Sequence, residues 1–294
     1  MMNGLFHIVI IHAYRGGVGN APAEHFWSVL DIATGVISPT IPCVDERIER
    51  AVVIAPGSDK RTPRMFSFGG TNDTTGARSK IGGGNFDIEY FDSVSLHRWV
   101  LVRNMLPHQI CRGAACLLNP TTAIICGGVH LGTGNMCIEL DLETFTAKPR
   151  PNMLTCRYDH AVVLYRGAVV AIGGVSPYWW ARQECERLAP DADEWTPMAQ
   201  PNEQYYCCSA VVIDDRLLYV VNDYHIEVYD GVTWTEIEQS YLLAPTRPFE
   251  YHKKLAVISK ISGDVATLDP DANKWTSLPA VEVVCRNWDV VGSF

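Results

Sequence analysis

The apolar positions of this chain come in short runs that end in two different ways. Residues 168–174 read "AVVAIGG", 66–70 read "FSFGG" and 123–128 read "AIICGG": a largely apolar run of strand-forming residues, then two glycines. A run without clean alternation predicts a strand covered on both faces. The glycine pair at its end predicts a sharp turn or a close approach of another backbone. A turn-rich stretch follows, then a second kind of run that ends near Asp, makes a short turn and reaches an aromatic residue. Its copies are "IEYFDSVSLHRW" (88–99), "CIELDLETF" (137–145), "CERLAPDADEW" (185–195), "IEVYDGVTW" (226–234) and "VATLDPDANKW" (265–275). "FWSVLDIATGVI" (26–37) is an incomplete copy without the second aromatic, and "FHIVIIHA" (6–13), "LLYVVND" (217–223) and "KLAVISK" (254–260) are strand ends without the glycines.

These copies recur about every 50 residues with four short strands per unit, the pattern of a β-propeller in which each unit is one blade. At these residues the chain resembles the kelch repeat: an Arg and often a His before a first strand, a strand ending in Gly-Gly, a strand ending in Tyr-Asp or similar, then Trp and Pro. The copy over 156–197 carries Arg157, His160, "AVVAIGG" and "DADEWTPM". The resemblance covers essentially the whole chain. It implies an all-β fold, a single domain over residues 1–294 built as a six-bladed kelch-type β-propeller with four-stranded antiparallel blades. The chain begins at a second strand, and its tail "VVCRNWDVVGSF" (283–294) resembles a first strand with nothing after it. Tail and head are expected to pair and close the ring, which removes an exposed sheet edge.

Composition narrows the functional classes. Of 294 residues, 47% are hydrophobic and 19% charged, enough for a large core. A net charge of −9 argues against a general nucleic-acid binder, which needs a basic face. No basic, cleavable leader opens the sequence and no stretch approaches the length of a membrane span, so the expectation is a cytoplasmic protein with no membrane partner. Most of the ten cysteines sit inside apolar runs and read as small buried hydrophobes in a reducing compartment. There is no C-x-x-C pair and no H-E-x-x-H, so neither a metal nor a cofactor is expected. "YRGGVGNAP" (14–22) does not complete a dinucleotide-binding glycine register, and "DPDANK" (269–274) and "DADE" (191–194) read as blade turns, lacking the Gly and distal Glu of a calcium loop.

The remaining signal lies in the loops. Arg47, Arg50, Arg112, Arg157, Arg247 and Arg286 precede first strands. Tyr14, Arg15, Asn72, His130, Tyr178, Trp179, Trp180, Asn222, Tyr224 and His225 lie at or after the glycine position. In a propeller both loop sets open on one face, giving a ring of guanidinium groups with an aromatic border. The competing use of such an Arg is internal, bonding carbonyls or acids of neighbouring blades. The run "YWW" is different, because three consecutive aromatics cannot all face inward from a short loop. The expected partner-binding residues are therefore Arg47, Arg112, Arg157, Arg247, Arg286, Tyr14, Asn72, His130, Tyr178, Trp179, Trp180, Tyr224 and His225. No residue is assigned a catalytic role.

Kelch-like propellers serve as recognition or scaffold domains beside BTB or F-box segments, for which this chain has no room. The resemblance thus implies a free-standing, monomeric interaction module that binds a short acidic peptide segment on its loop face. The alternative is a kelch-like carbohydrate-active enzyme, a sugar mutarotase or epimerase, with a copper enzyme similar to galactose oxidase further behind on the strength of "QYYCC" (204–208). A deep central pocket with paired carboxylates and a His favours the enzyme; a broad ring of Arg and Tyr favours the binder.

Overall fold

A strand that is apolar on both faces needs a neighbour on each side, and stacked sheets around an axis provide them. In the computed structural model the chain forms such a stack. The structure describes residues 8–15, 24–31, 36–37, 41–42, 51–57, 63–70, 86–92, 99–129, 134–238, 247–259, 261–281 and 287–293, with only the backbone path at the two ends, 8–42 and 287–293.

The first strands are β1 (Ile8–Arg15), β2 (Glu24–Asp31), β3 (Val36–Ile37) and β4 (Ile41–Pro42). Blade I follows, with β5 (Ala51–Pro56), β6 (Pro63–Phe68), β7 (Ile88–Asp92) and β8 (Trp99–Val102). Blade II holds β9 (Ala114–Asn119), β10 (Thr122–Cys126), β11 (Cys137–Asp141) and β12 (Ala147–Arg150). Blade III holds β13 (Ala161–Tyr165), β14 (Ala168–Ile172), β15 (Cys185–Leu188) and β16 (Thr196–Met198). Blade IV holds β17 (Ser209–Ile213), β18 (Leu217–Val221), β19 (Ile226–Tyr229) and β20 (Trp234–Glu236). Blade V holds β21 (Phe249–Tyr251), β22 (Lys254–Ile258), β23 (Val265–Asp269) and β24 (Lys274–Leu278), and β25 (Asn287–Ser293) ends the chain.

Blades I to V are each a four-stranded antiparallel meander in sequence order. The remaining sheet pairs tail with head as expected and corrects the expectation of six four-stranded blades. It runs β25-β1-β2-β3 with β4 also paired to β2, so it has five strands drawn from both ends of the chain. There are five four-stranded blades rather than six, because the two-residue β3 and β4 share the outer edge that one longer strand occupies elsewhere. The first strands of the blades lie side by side, β5 against β9, β9 against β13, β13 against β17, β17 against β21, and β25 touches both β21 and β5. The stack is a closed β-propeller.

The core is a series of layers between blades, and this accounts for the unalternating runs. On β10, Ala123 and Ile125 pack toward blade I, whereas Ile124 and Cys126 pack toward blade III. On β14, Val169 and Ala171 face blade II and Val170 and Ile172 face blade IV. Each fully buried aliphatic side chain contributes about 1.5–3 kcal/mol, so every blade stabilises both neighbours.

The two run endings also have local causes. The glycine pairs Gly69–Gly70, Gly127–Gly128 and Gly173–Gly174 all have positive φ. A Cβ on Gly173 would lie 2.5 Å from the carbonyl oxygen of Tyr205, and the next residue, Gly174, donates its N–H to that same oxygen at 2.6 Å. Gly70 does the same to Ile110 and Gly128 to Arg157, so each pair clasps its blade to the loop entering the next one. At the other ending, Asp141, Asp230 and Asp269 each accept two backbone N–H groups through Oδ1 and so close the turn after the third strand. Those donors hold the three carboxyls below their ordinary range. The Trp beyond the turn donates its indole N–H to the segment crossing from the preceding blade: Trp195 to Pro151 at 2.8 Å and Trp234 to Ala199 at 2.8 Å.

Candidate partner-binding face

One end of the propeller carries the loops that enter each first strand and the loops that follow each second strand. The entering loops repeat one backbone device. Arg112, Asp159 and Cys207 stand two residues before β9, β13 and β17, and all three have positive φ, 55°, 51° and 48°. Their backbones are linked in series, Asp159 N–H to Arg112 O at 3.0 Å and Cys208 N–H to Asp159 O at 3.3 Å. Their side chains are linked too. Arg112 grips Asp159 through both Nε (2.8 Å to Oδ1) and Nη2, and the Cys207 thiol donates to Asp159 Oδ2 at 3.4 Å. Partial burial of the sulfur together with the Asp159 carboxylate pushes the Cys207 thiol up to about 11.

The exposed aromatics accompany this row, and four of the five stand on turns held by a buried polar residue. Ser176 anchors the turn after β14: its N–H donates to Trp180 O, its carbonyl accepts from Trp179 N–H, and its Oγ accepts from Trp180 N–H. Asn222 anchors the turn after β18, where Oδ1 accepts from Tyr224 N–H at 2.8 Å and His225 N–H at 2.7 Å. On these turns Tyr178, Trp179, Trp180 and Tyr224 are 81%, 54%, 74% and 63% exposed, and Tyr206, in the loop before β17, is 41% exposed. Trp179 meets the ring of Tyr158 edge-on at 5.8 Å, and the Arg112 guanidinium lies 5.1 Å from the centre of that same ring. The loops of blades III and IV are tied by their backbones, Tyr205 N–H to Arg182 O at 3.0 Å and Gly174 N–H to Tyr205 O at 2.6 Å.

The guanidinium ring is where the expectation needs correction. Arg157 is 1% exposed and belongs to the inside of blade III. Its Nη1 donates to the carbonyls of Gly173 and Glu184, and its Nη2 donates to Thr155 and, at 2.6 Å, to the buried Glu186. It is a structural cation that offers nothing to a partner. Arg112 reaches the face with its charge already taken by Asp159. Arg247 is exposed and borders the central cavity. His225 is partly exposed, with Nδ1 3.5 Å from Glu236. Tyr14 lies on β1, whose side chains are outside the described residues, as are Arg47, Asn72, His130 and Arg286.

Between the first strands lies a cavity of about 130 Å³ lined mainly by Ala51, Gly113, Ala114, Ala161, Ser209 and Arg247 together with His160. No carboxylate lines it among the described residues. The buried glutamates Glu89, Glu186 and Glu227 sit on third strands instead, where Glu186 and Glu227 bind loop N–H groups, and buried Asp87 just before β7 accepts from Asn104 N–H. Among the described residues no group of three His, Cys, Asp or Glu side chains is arranged to hold a metal ion. Within "QYYCC", Tyr205 is buried beside Glu227 and Tyr206 points outward, a division that the sequence marks only as two adjacent tyrosines. Tyr206 and the anchors Ser176 and Asn222 are the parts of this face that sequence reasoning missed or left without a role.

No protein-family model matches the chain, and no curated protein sequence matches it. Among solved structures, one described as "Structure of YjhT" superimposes with a TM-score of 0.67 at 13% identity, covering 92% of this chain and 98% of the other. At that identity the likeness concerns the fold alone, and the fold it supports is the β-propeller. Among the described residues no helix is long and apolar enough to cross a membrane.

Proposed function

We propose that this chain is a kelch-type propeller acting as an interaction module, and that it binds a short segment of another protein across the loops of blades III and IV. The observation that carries the reading is the set of exposed aromatics on turns fixed by buried polar residues. Large aromatic side chains left in water cost solubility, and a partner that covers them recovers the apolar area. Because Ser176 and Asn222 already hold their backbones, little ordering is lost on binding, which favours affinity for a given area. The enzyme alternative finds less support. The central cavity is small, its lining combines alanines with His160, Ser209 and Arg247, and among the described residues it presents no paired carboxylates. Arg157 no longer contributes to the recognition of an acidic segment, so the aromatics carry the proposal.

A peptide-display selection on the native protein, counter-screened on a Trp180→Ser/Tyr224→Ser variant, tests the reading. The expected outcome is a family of related peptides that bind the native protein and lose at least about tenfold in affinity for the variant. Peptides that bind both proteins equally, or a selection that yields none, would sink it.

A further inference from the structure

The charges around the aromatic border are unequal, and the inequality points to the chemistry of the partner. We infer that the segment bound across blades III and IV carries lysines or arginines, with cations seated on the exposed rings of Trp180 in blade III and of Tyr224, beside Asp223, in blade IV. The inference rests on the interaction reading above and specifies its partner.

The arginines described on the loops of blades II and III are already occupied by an acid, and Arg247 borders the central cavity instead. Arg112 is held by Asp159, Arg157 by Glu186, and Arg182 by Glu184 and the Cys156 carbonyl. Asp223 is exposed at the tip of the turn that presents Tyr224, and no cation pairs with it among the described residues. It stands between Asn222 and Tyr224 in a turn closed by the Asn222 side chain, so its carboxylate and the Tyr224 ring leave the same tight turn. Exposed Glu203 leads into Tyr206, and Glu236 lies beside His225. The local field is therefore negative, in keeping with the net charge of −9. Aromatic faces attract cations through their quadrupole, most strongly for Trp, and an acid next to them adds Coulomb attraction. The molecule already uses this pairing internally, where Arg112 lies over Tyr158 at the foot of Trp179. An acidic segment arriving here would meet Asp223 without a guanidinium available on Arg112, Arg157 or Arg182.

Fluorescein-labelled nonapeptides of glycine and serine with three central lysines, three arginines, three glutamates or three leucines provide the test, read by anisotropy on the full chain. The lysine and arginine peptides should bind, the glutamate peptide should be at least about tenfold weaker, and Trp180→Ala should cost the basic peptides about tenfold or more. Asp223→Asn should weaken them about two- to fivefold, and the difference should fade as salt rises from 50 to 500 mM, roughly, as for an exposed charge. Preferred binding of the glutamate or leucine peptide, lost in Trp180→Ala, would overturn the basic partner while keeping the aromatic face as a binding site. Binding of none of the four overturns the inference, and if displayed peptides then also fail to distinguish Trp180→Ser/Tyr224→Ser, the interaction reading falls with it.

Discussion

Blades III and IV bury an acid at the same place and satisfy it by different means. Glu186 of blade III and Glu227 of blade IV are the second residues of β15 and β19, and both reach the loop that enters their own blade. Glu186 accepts from Leu154 N–H, from Thr155 Oγ1 and from the guanidinium of Arg157. Glu227 accepts from the backbone N–H groups of Asn202 and Glu203 and from the Asn202 side chain. One blade answers the charge with a cation and the other with neutral dipoles. Both fix the loop that positions the shared face, so the acid is the constant and the arginine is one of two solutions. This is why an arginine at the repeat's loop position does not imply an outward-facing arginine.

The comparison breaks most easily at Arg157. Arg157→Ala leaves Glu186 buried without its cation and strips a donor from the Gly173 and Glu184 carbonyls, so stability should fall by about 3–5 kcal/mol in urea unfolding. A double variant, Arg157→Ala with Glu186→Gln, should recover part of that loss, since the stranded charge is gone. Asn202→Ala should cost only about 1–2 kcal/mol, because two backbone donors still face Glu227. Equal losses in Arg157→Ala and Asn202→Ala would mean that the cation has no special role in blade III.

A second contrast concerns the end of the second strand. Gly173 in blade III corresponds to Asn222 in blade IV, where the preceding strand ends at Val221. Gly173→Ala forces a side chain into positive φ and to 2.5 Å from Tyr205 O, and should cost about 2–3 kcal/mol. Asn222→Ala removes one acceptor shared by two N–H groups and should cost about 1 kcal/mol. Calorimetric melting of the two variants side by side checks the order, and a larger loss at Asn222 would reverse it.

How much of this was legible in sequence follows the same division. Gly-Gly, Asp-turn-Trp and "YWW" are short stretches whose chemistry acts within a few residues, so the blades and the aromatic turn could be read directly. The direction of Arg157 depends on Glu186, 29 residues away, and no local pattern of the arginine itself reveals it. A signal was present on the other partner: "IEYFD", "CERL" and "IEVYD" each place a Glu directly after the apolar residue that opens a third strand. The pairing of tail and head was legible in the half-repeats at the two chain ends and is found in β25 against β1, whereas the outer edge of that sheet was hidden, because two very short strands stand where the other blades have one.

His160, in the loop that enters blade III, offers a smaller effect that can be read by pH. Burial, aided by the nearby positive charge of Arg157, pushes its imidazole well below the ordinary 6.5. The folded chain thus holds His160 neutral where the unfolded chain protonates it, so stability is lost as pH falls through about 6.5 toward the folded value. The slope from this group is at most about 1.4 kcal/mol per pH unit. The turn aspartates Asp141, Asp230 and Asp269 act in the same direction but only below the ordinary carboxylate range, because their folded values are lowered. Urea midpoints between pH 7 and 5 should therefore fall less steeply in His160→Gln than in the native chain, and parallel curves would remove His160 as the cause.

The smallest effect is expected where the two blades contribute alike. Trp180 of blade III and Tyr224 of blade IV are held through their backbones, by Ser176 and Asn222, while their rings stand in water. Trp180→Ala and Tyr224→Ala remove no packed ring and leave both turn bonds intact, so each should change stability by no more than about 0.5 kcal/mol. Trp195 is the internal control, because its ring is buried and its indole donates to Pro151, and Trp195→Ala should cost about 3–5 kcal/mol. A tryptophan that costs the fold nothing when removed leaves a large apolar ring in water for a partner to cover, which is the physical case for a partner at this face. A loss of more than about 1 kcal/mol in Trp180→Ala, measured in the same urea titration, would show that the ring packs against its own blade and would take that case away.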